Sequence, residues 1–99
     1  MNIPSEYPVG GYKINVAFTP DLMEEHNALG WYSPNKSATQ LQPPIKNEVA
    51  NQNIEEAFCH EVIHSWTDKL DYPQLYRNEK FTNDMALVLY QFLKAMGVF

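Results

Sequence analysis

The chain has 99 residues, of which 44 % are apolar and 13 % aromatic, and this composition predicts one folded domain over residues 1–99 and excludes a disordered chain. The formal net charge of −5 excludes direct binding to nucleic acid as the main activity. No segment resembles a signal peptide or reaches the roughly 20 apolar residues of a membrane span, and the single cysteine, Cys59, cannot form an internal disulfide. We therefore expect a cytoplasmic protein without a membrane partner.

The first third of the chain predicts one strand between two irregular segments. Residues 1–11 contain two prolines and a Gly-Gly pair, so we expect a loose lead-in. Apolar side chains occupy every second position of residues 12–18, which is the period of a half-buried strand. Residues 19–27 are acidic and open with a proline turn, so they predict a loop with one helical turn after Asp21.

A hairpin is predicted next. Residues 33–36 read Ser-Pro-Asn-Lys, with proline and asparagine where a type I turn prefers them, and they separate residues 28–32 from residues 37–42. Two prolines follow the second arm, and proline cannot donate to a strand ladder. We therefore expect residues 37–42 to be exposed or at a sheet edge near their end, where an extended peptide could add as a further strand.

Two helices are predicted in the second half. The first spans residues 53–69, with Asn53 and Glu56 as a capping pair, or begins a few residues earlier near Glu48. The second spans residues 79–96 and ends at Gly97. The positions expected to face the core are Ile54, Phe58, Val62, Trp66, Phe81, Met85, Val88, Leu89, Phe92 and Met96. The elements together predict an α+β fold in which a small sheet of about three strands packs on two helices.

The motif His60-Glu61-Val62-Ile63-His64 lies within the first of these helices. Residues four apart lie one turn above each other on the same helix face, so both imidazoles can bind one metal ion. Glu61 stands beside the pair, where it can take a proton from a metal-bound water, as in zinc-dependent peptidases. Cys59 points about 100° away around the helix, so we expect a buried thiol rather than a ligand.

A catalytic zinc site usually has three protein ligands, so one more is needed. The metzincin pattern requires a glycine and a histidine where this chain has Thr67 and Leu70, which excludes that family. Asp68 continues the four-residue spacing, but its Cα lies about 12 Å from that of His60 along a straight helix. Ligand atoms must lie roughly 2 Å from the ion, so Asp68 is not expected to bind. The acids beyond the turn are Asp71, Glu79 and Asp84.

A glutamate that begins a helix downstream of His-Glu-x-x-His, with a polar residue one turn later, resembles the gluzincin family of zinc metallopeptidases. From about residue 12 to residue 96, the order of predicted elements is similar to the minimal zincin-like core of phage and bacterial ImmA/IrrE-type metallopeptidases. This resemblance implies that His60, His64 and Glu79 bind Zn²⁺ and that Glu61 is the general base.

Several details of the site stay open at this point. The family position that often holds an aspartate is Asn83 here, followed by Asp84, and either could orient a ligand imidazole. Asp71 and Asp84 remain alternative third ligands. The residues that could stabilise an oxyanion are Tyr72, Tyr76 and His26.

Two functions are compatible with this pattern. The first is a zinc-dependent metallopeptidase that hydrolyses a peptide bond in a specific protein substrate, which would lie extended along residues 37–42. The resemblance to ImmA/IrrE-type proteins implies a repressor or host regulator as the partner. The second is a phage-type regulatory protein that binds such a partner without cleaving it and keeps a structural or vestigial zinc. A structural zinc needs four protein ligands, and the chain offers three, which favours the enzyme.

Overall fold

Four strands and four helices make up the computed structural model, which describes all of residues 1–99. The strands are β1 (Glu6–Val9), β2 (Tyr12–Phe18), β3 (Gly30–Ser33) and β4 (Ala38–Leu41), with a 3-10 turn at Pro34–Lys36. The helices are α1 (Leu22–His26), α2 (Asn51–Lys69), α3 (Pro73–Tyr76) and α4 (Glu79–Ala95). The predicted α+β class is confirmed, with α2 and α4 as its two long helices. None of the helices has both the length and the apolar character needed to cross a bilayer.

The four strands form one mixed sheet in the order β1-β2-β4-β3. The pairs β1/β2 and β3/β4 are antiparallel, whereas β2 and β4 run parallel. Residues 12–18 form β2 as predicted, but only its middle follows the expected burial: Ile14 and Val16 are buried, whereas Tyr12 and Phe18 at its ends are exposed. β1 and β3 are consequently the two edges of the sheet.

The predicted count of about three strands was one too low, because β1 lies within the segment expected to be a loose lead-in. Its proline, Pro8, is compatible with pairing because β1 is an edge strand. Gly10 has a φ of 57°, so the Gly-Gly pair makes the tight turn of a hairpin with β2 rather than a break. Val9 at the end of β1 is buried against Ile14 and Tyr32.

The predicted hairpin is confirmed, but its second arm is not at the sheet edge. β4 pairs with β2 on one side and with β3 on the other, and its Thr39 and Leu41 are buried. The two prolines begin only at residue 43, beyond the last paired residue, so they do not interrupt either ladder. The exposed edge belongs instead to β3, the first arm of the hairpin.

Helix α2 packs across the sheet and contributes more buried residues than any other element. It begins two residues before Asn53, whose side-chain oxygen accepts a hydrogen bond from the Ala50 N–H at 3.0 Å, so Asn53 caps the helix from inside its first turn. Three of its four predicted core residues, Ile54, Phe58 and Val62, are buried. Together with Val16, Leu41 and Val49 they form the main apolar cluster. Cys59 is fully buried, as expected, and burial raises the pKa of its thiol.

Helix α4 packs through a face that shares only Phe81 and Leu89 with the predicted one. Its buried residues are Thr82, Ala86 and Tyr90, and the last two pack with Cys59 and Ile63 of α2. Small side chains at positions 82 and 86 allow the two helix axes to approach closely, so the wider apolar face is left outside. The predicted core positions that are exposed are Trp66, Met85, Val88, Phe92 and Met96.

Candidate metal centre

Helix α2 presents His60 and His64 toward the first turn of α4. Their ring centroids are 4.8 Å apart, as expected for residues separated by one helical turn. The opposite face of α2 is fixed in the core by Phe58 and Val62, so the orientation of the two imidazoles follows from the packing of the helix. Both histidines are only partly exposed.

The position of Glu79 is fixed by the cap of α4. Asn78 is the N-cap residue, and its side-chain oxygen accepts a hydrogen bond from the Phe81 N–H at 3.0 Å. The Asn78 carbonyl also accepts a hydrogen bond from the Thr82 hydroxyl at 3.2 Å. This cap makes Glu79 the first residue of the helix, facing the histidines across the short connection formed by α3.

Three ligand atoms converge at this point. Glu79 Oε1 lies 3.4 Å from His64 Nε2, and Glu79 Oε2 lies 3.6 Å from His60 Nε2. One ligand atom from each of the three residues lies within 4.8 Å of the others, so the group could hold a metal ion. Burial, and secondarily the neighbouring His60, lowers the pKa of His64, which favours the neutral imidazole that binds metals.

The alternative acids lie elsewhere. Asp84 forms an exposed ion pair with Lys80 at 2.6 Å, and Asp71 is exposed in the turn after α2. Asp68 accepts a hydrogen bond from the Tyr32 hydroxyl at 2.7 Å, which directs its carboxylate toward β3 rather than toward the two imidazoles.

The carboxyl group of Glu61 is buried beside the three ligand groups. Burial raises its pKa to about 7, the backbone of Tyr32 offsets part of this rise, and the negative charge of Glu79 adds to it. A carboxyl group whose pKa lies near neutrality can accept and release a proton at physiological pH.

Gly30 allows the edge strand β3 to pass directly over Glu61. A Cβ atom at residue 30 would lie 3.0 Å from Cγ and 3.1 Å from Oε2 of Glu61, which is tighter than ordinary contact. The absence of a side chain here therefore makes room for the carboxyl group. Sequence reasoning missed this residue, although a glycine inside a predicted strand is a known sign of close approach.

An open cavity of about 380 Å³ joins these groups. Besides His60, His64, Glu61, Glu79 and Gly30, it is lined by Trp31, Tyr32, Tyr76 and Arg77. Trp31, Tyr32 and Arg77 were not singled out by the sequence, because their approach to the motif depends on how β3 and the α3–α4 connection fold back. Arg77 is the only lysine or arginine in the lining.

Of the three residues considered as hydrogen-bond donors to an oxyanion, only Tyr76 lines the cavity. The ring of Tyr76 lies 5.3 Å from that of His64 and lines the cavity, and burial, with nearby carboxylates, raises the pKa of its phenol. Tyr72 is exposed and contributes instead to an apolar cavity between α2, α3 and α4. His26 is exposed and contacts Trp31 with ring centroids 4.8 Å apart and ring planes tilted by 52°, and it does not itself line the cavity.

Neither Asn83 nor Asp84 forms a hydrogen bond with His64. Its Nδ1 is buried without a hydrogen-bond partner. Asp84 is paired with Lys80, and Asn83 lies beside His60 and Glu56 in a separate small cavity. The orientation of His64 is therefore provided by packing, including its contact with Tyr76, rather than by a hydrogen bond.

Two imidazole nitrogens and one carboxylate oxygen are a donor set that suits a divalent ion of intermediate softness such as zinc. A buried carboxyl group and a phenol lie beside them on the same cavity.

No protein-family model, curated protein or solved structure matches this chain.

Proposed function

We propose that the protein is a zinc-dependent metallopeptidase of the minimal gluzincin kind. The observation that carries the proposal is that Glu79 meets His60 and His64 at 3.6 and 3.4 Å while the carboxyl group of Glu61 lies buried on the same cavity. Two histidines and a glutamate leave one position of a tetrahedral ion for a reactant, which distinguishes a catalytic zinc site from a structural one. Glu79 is also well exposed, so a peptide can approach from that side.

The residues that line the cavity can supply the separate functions that peptide hydrolysis needs. Zinc at this site would supply a Lewis acid that polarises the scissile carbonyl and acidifies water. Glu61 takes a proton from the attacking water and delivers it to the departing amine nitrogen. With zinc bound, the pKa of the Glu61 carboxyl group would be lower, which would favour the charged form that Glu61 needs before it takes the proton. The Tyr76 phenol donates a hydrogen bond to the oxygen of the carbonyl as it gains negative charge.

The exposed edge of β3 is the proposed support for the substrate. We expected a peptide to lie along residues 37–42, but β4 has strands on both sides and offers no free backbone groups. β3 has one unpaired edge and borders the cavity through Gly30, Trp31 and Tyr32. An extended peptide added to this edge would pass beside Glu61. Its source is proposed to be a specific protein, such as a repressor or host regulator.

The test of this function is a cleavage assay on the full chain loaded with zinc. Elemental analysis should first give about one zinc ion per chain. The protein is then incubated with a peptide library, and new amino termini are identified by mass spectrometry. We expect cleavage that stops with a chelator and returns with added zinc. Bound zinc without cleavage of peptides or of repressor-type proteins would contradict the peptidase and favour the binding protein with a structural zinc.

Substitution of Gly30 by alanine should reduce cleavage without releasing the metal. The new methyl group would press on Cγ and Oε2 of Glu61 and displace the carboxyl group by a few tenths of an ångström. We expect kcat/KM to fall by about 10- to 100-fold, because small displacements of a reacting group have effects of this size. Zinc content should be unchanged, because Gly30 is not a ligand.

The matched control for this substitution is Gly11→Ala. A Cβ atom at Gly11 would have no neighbour within 4 Å, and neither glycine has a left-handed backbone. Equal losses of activity in the two variants would contradict the role given to Gly30.

A further inference from the structure

The outer face of α4 is apolar although its side chains are exposed. Met85, Val88, Phe92 and Met96 recur at spacings of three and four residues, so they form one stripe along the helix. This stripe is separate from the buried face made by Thr82, Ala86 and Tyr90. The stripe itself contains no charged residue.

The stripe continues into an apolar cavity at the end of the α2–α4 packing. This cavity, of about 180 Å³, lies between α2, α3 and α4 and includes Met85 in its lining. The exposed side chains of Trp66, Leu70 and Tyr72 surround it. We call these three residues and the four of the stripe the apolar face; each of the seven side chains is 39 to 62 % exposed.

The area of this face exceeds what a monomer usually exposes. Seven large side chains with about half of their surface free present roughly 700 Å², whereas the largest apolar patch of a typical monomer covers about 300–600 Å². A stable protein–protein interface buries about 800 Å² on each partner. The apolar face alone therefore provides most of the area that a stable dimer buries on each partner.

We infer that the apolar face is covered by a second copy of this chain. The face carries both a ridge, the α4 stripe, and a hollow, the cavity beside Met85, and a two-fold axis places the ridge of each copy against the hollow of the other. With the axis between Val88 and Leu89 and the two α4 helices antiparallel, Phe92 of one copy faces Met85 of the other at the mouth of the cavity. An aromatic side chain entering an apolar hollow is the kind of contact that dominates binding energy.

The dimer would leave the candidate metal centre open. At 100° per residue, Glu79 lies roughly 135° around α4 from the middle of the stripe. The inference therefore does not rest on the proposed peptidase activity, and either one can fail without the other.

The oligomeric state of the purified full chain tests the inference. Sedimentation velocity and light scattering are measured from about 1 to 200 µM, a range that covers the micromolar affinity typical of weaker interfaces of this size. We expect the wild type to be dimeric at the upper concentrations. Phe92→Glu and Val88→Glu should each weaken the dimer at least about tenfold, because they bury an unpaired charge.

Leu87→Glu is the matched control. Leu87 is as exposed as Val88 and lies on the same helix, but outside the stripe. Circular dichroism checks that each variant keeps its helices, and the two stripe variants provide independent tests if one of them misfolds. A wild type that is monomeric at 200 µM would overturn the inference and leave the face to a different partner. A dimer that survives both stripe variants, or that Leu87→Glu weakens equally, would also overturn it.

Discussion

Glu61→Gln is expected to remove peptide hydrolysis while leaving zinc bound. Glutamine has nearly the shape of glutamate but cannot take a proton from water, and general acid–base catalysis contributes about 10²- to 10⁴-fold to a rate. Its amide fits the same space beneath Gly30, so the ligand groups should keep their positions. The measurement is kcat/KM on any peptide cleaved by the wild type, together with elemental analysis of both proteins.

Glu55→Gln is the control for this substitution. Glu55 is also a buried glutamate of α2, but it does not line the cavity of the candidate metal centre. We expect it to retain activity. Near-wild-type activity of Glu61→Gln would remove Glu61 from the mechanism, whereas loss of zinc would mean that the substitution disturbed the site itself.

The metal-free Glu61→Gln variant should also unfold differently with pH. The pKa of Glu61 is about 7 in the folded chain, against an ordinary value of 4.5. Because the folded pKa is raised, ionisation of Glu61 costs stability as the pH rises from about 4.5 to 7. The variant lacks this cost, so its melting temperature relative to the wild type should rise across that interval and level off above it. A constant difference would contradict the buried carboxyl group.

Glu79→Ala is expected to release the metal. It removes one of only three ligands, and the affinity for zinc should fall by at least about 100-fold, since even substitutions outside the ligand set cost up to that much. The exposed position of Glu79 means that no core contact is lost, so the fold should remain intact. Competition with a chromogenic chelator measures the affinity, and circular dichroism measures the fold.

Asp84→Ala is the matched control for Glu79→Ala. Asp84 is an exposed acid of the same helix and was an alternative ligand, but its carboxylate pairs with Lys80 at 2.6 Å. Its removal should leave zinc affinity unchanged. If Glu79→Ala retained zinc while Asp84→Ala lost it, the assignment of the third ligand would be wrong.

Local sequence patterns predicted most helices and strands of this fold well, because the periodicity and end signals of each element lie within its own residues. The alternation of residues 12–18 became β2 without a shift at either end. The second long helix was predicted to begin at Glu79, and α4 begins at that residue, where the Asn78 side chain caps a free N–H group. The first strand was missed because proline and glycine break structure in some settings and support an edge hairpin in others.

Burial was predicted less well, because it depends on which partner an element finds. Phe92 and Met96 have the spacing of a core face, yet the buried residues of α4 are Thr82, Ala86 and Tyr90. Which face of α4 packs on α2 depends on the size of its side chains, because small ones allow the helices to approach closely. The spacing of apolar residues alone does not contain this information. The same limit applies to residues 37–42, whose place inside the sheet is set by pairing with β2.

By itself, then, the sequence determined that two imidazoles would lie one turn apart on a helix, since that spacing depends only on helical geometry. It also determined that a glutamate would begin the next long helix. Only the tertiary structure decided that Glu79 meets both histidines, that Gly30 makes room for Glu61, and that Tyr76 rather than Tyr72 borders the cavity. These contacts join residues far apart along the chain, and they exist only because the sheet and the α3 connection bring those segments together.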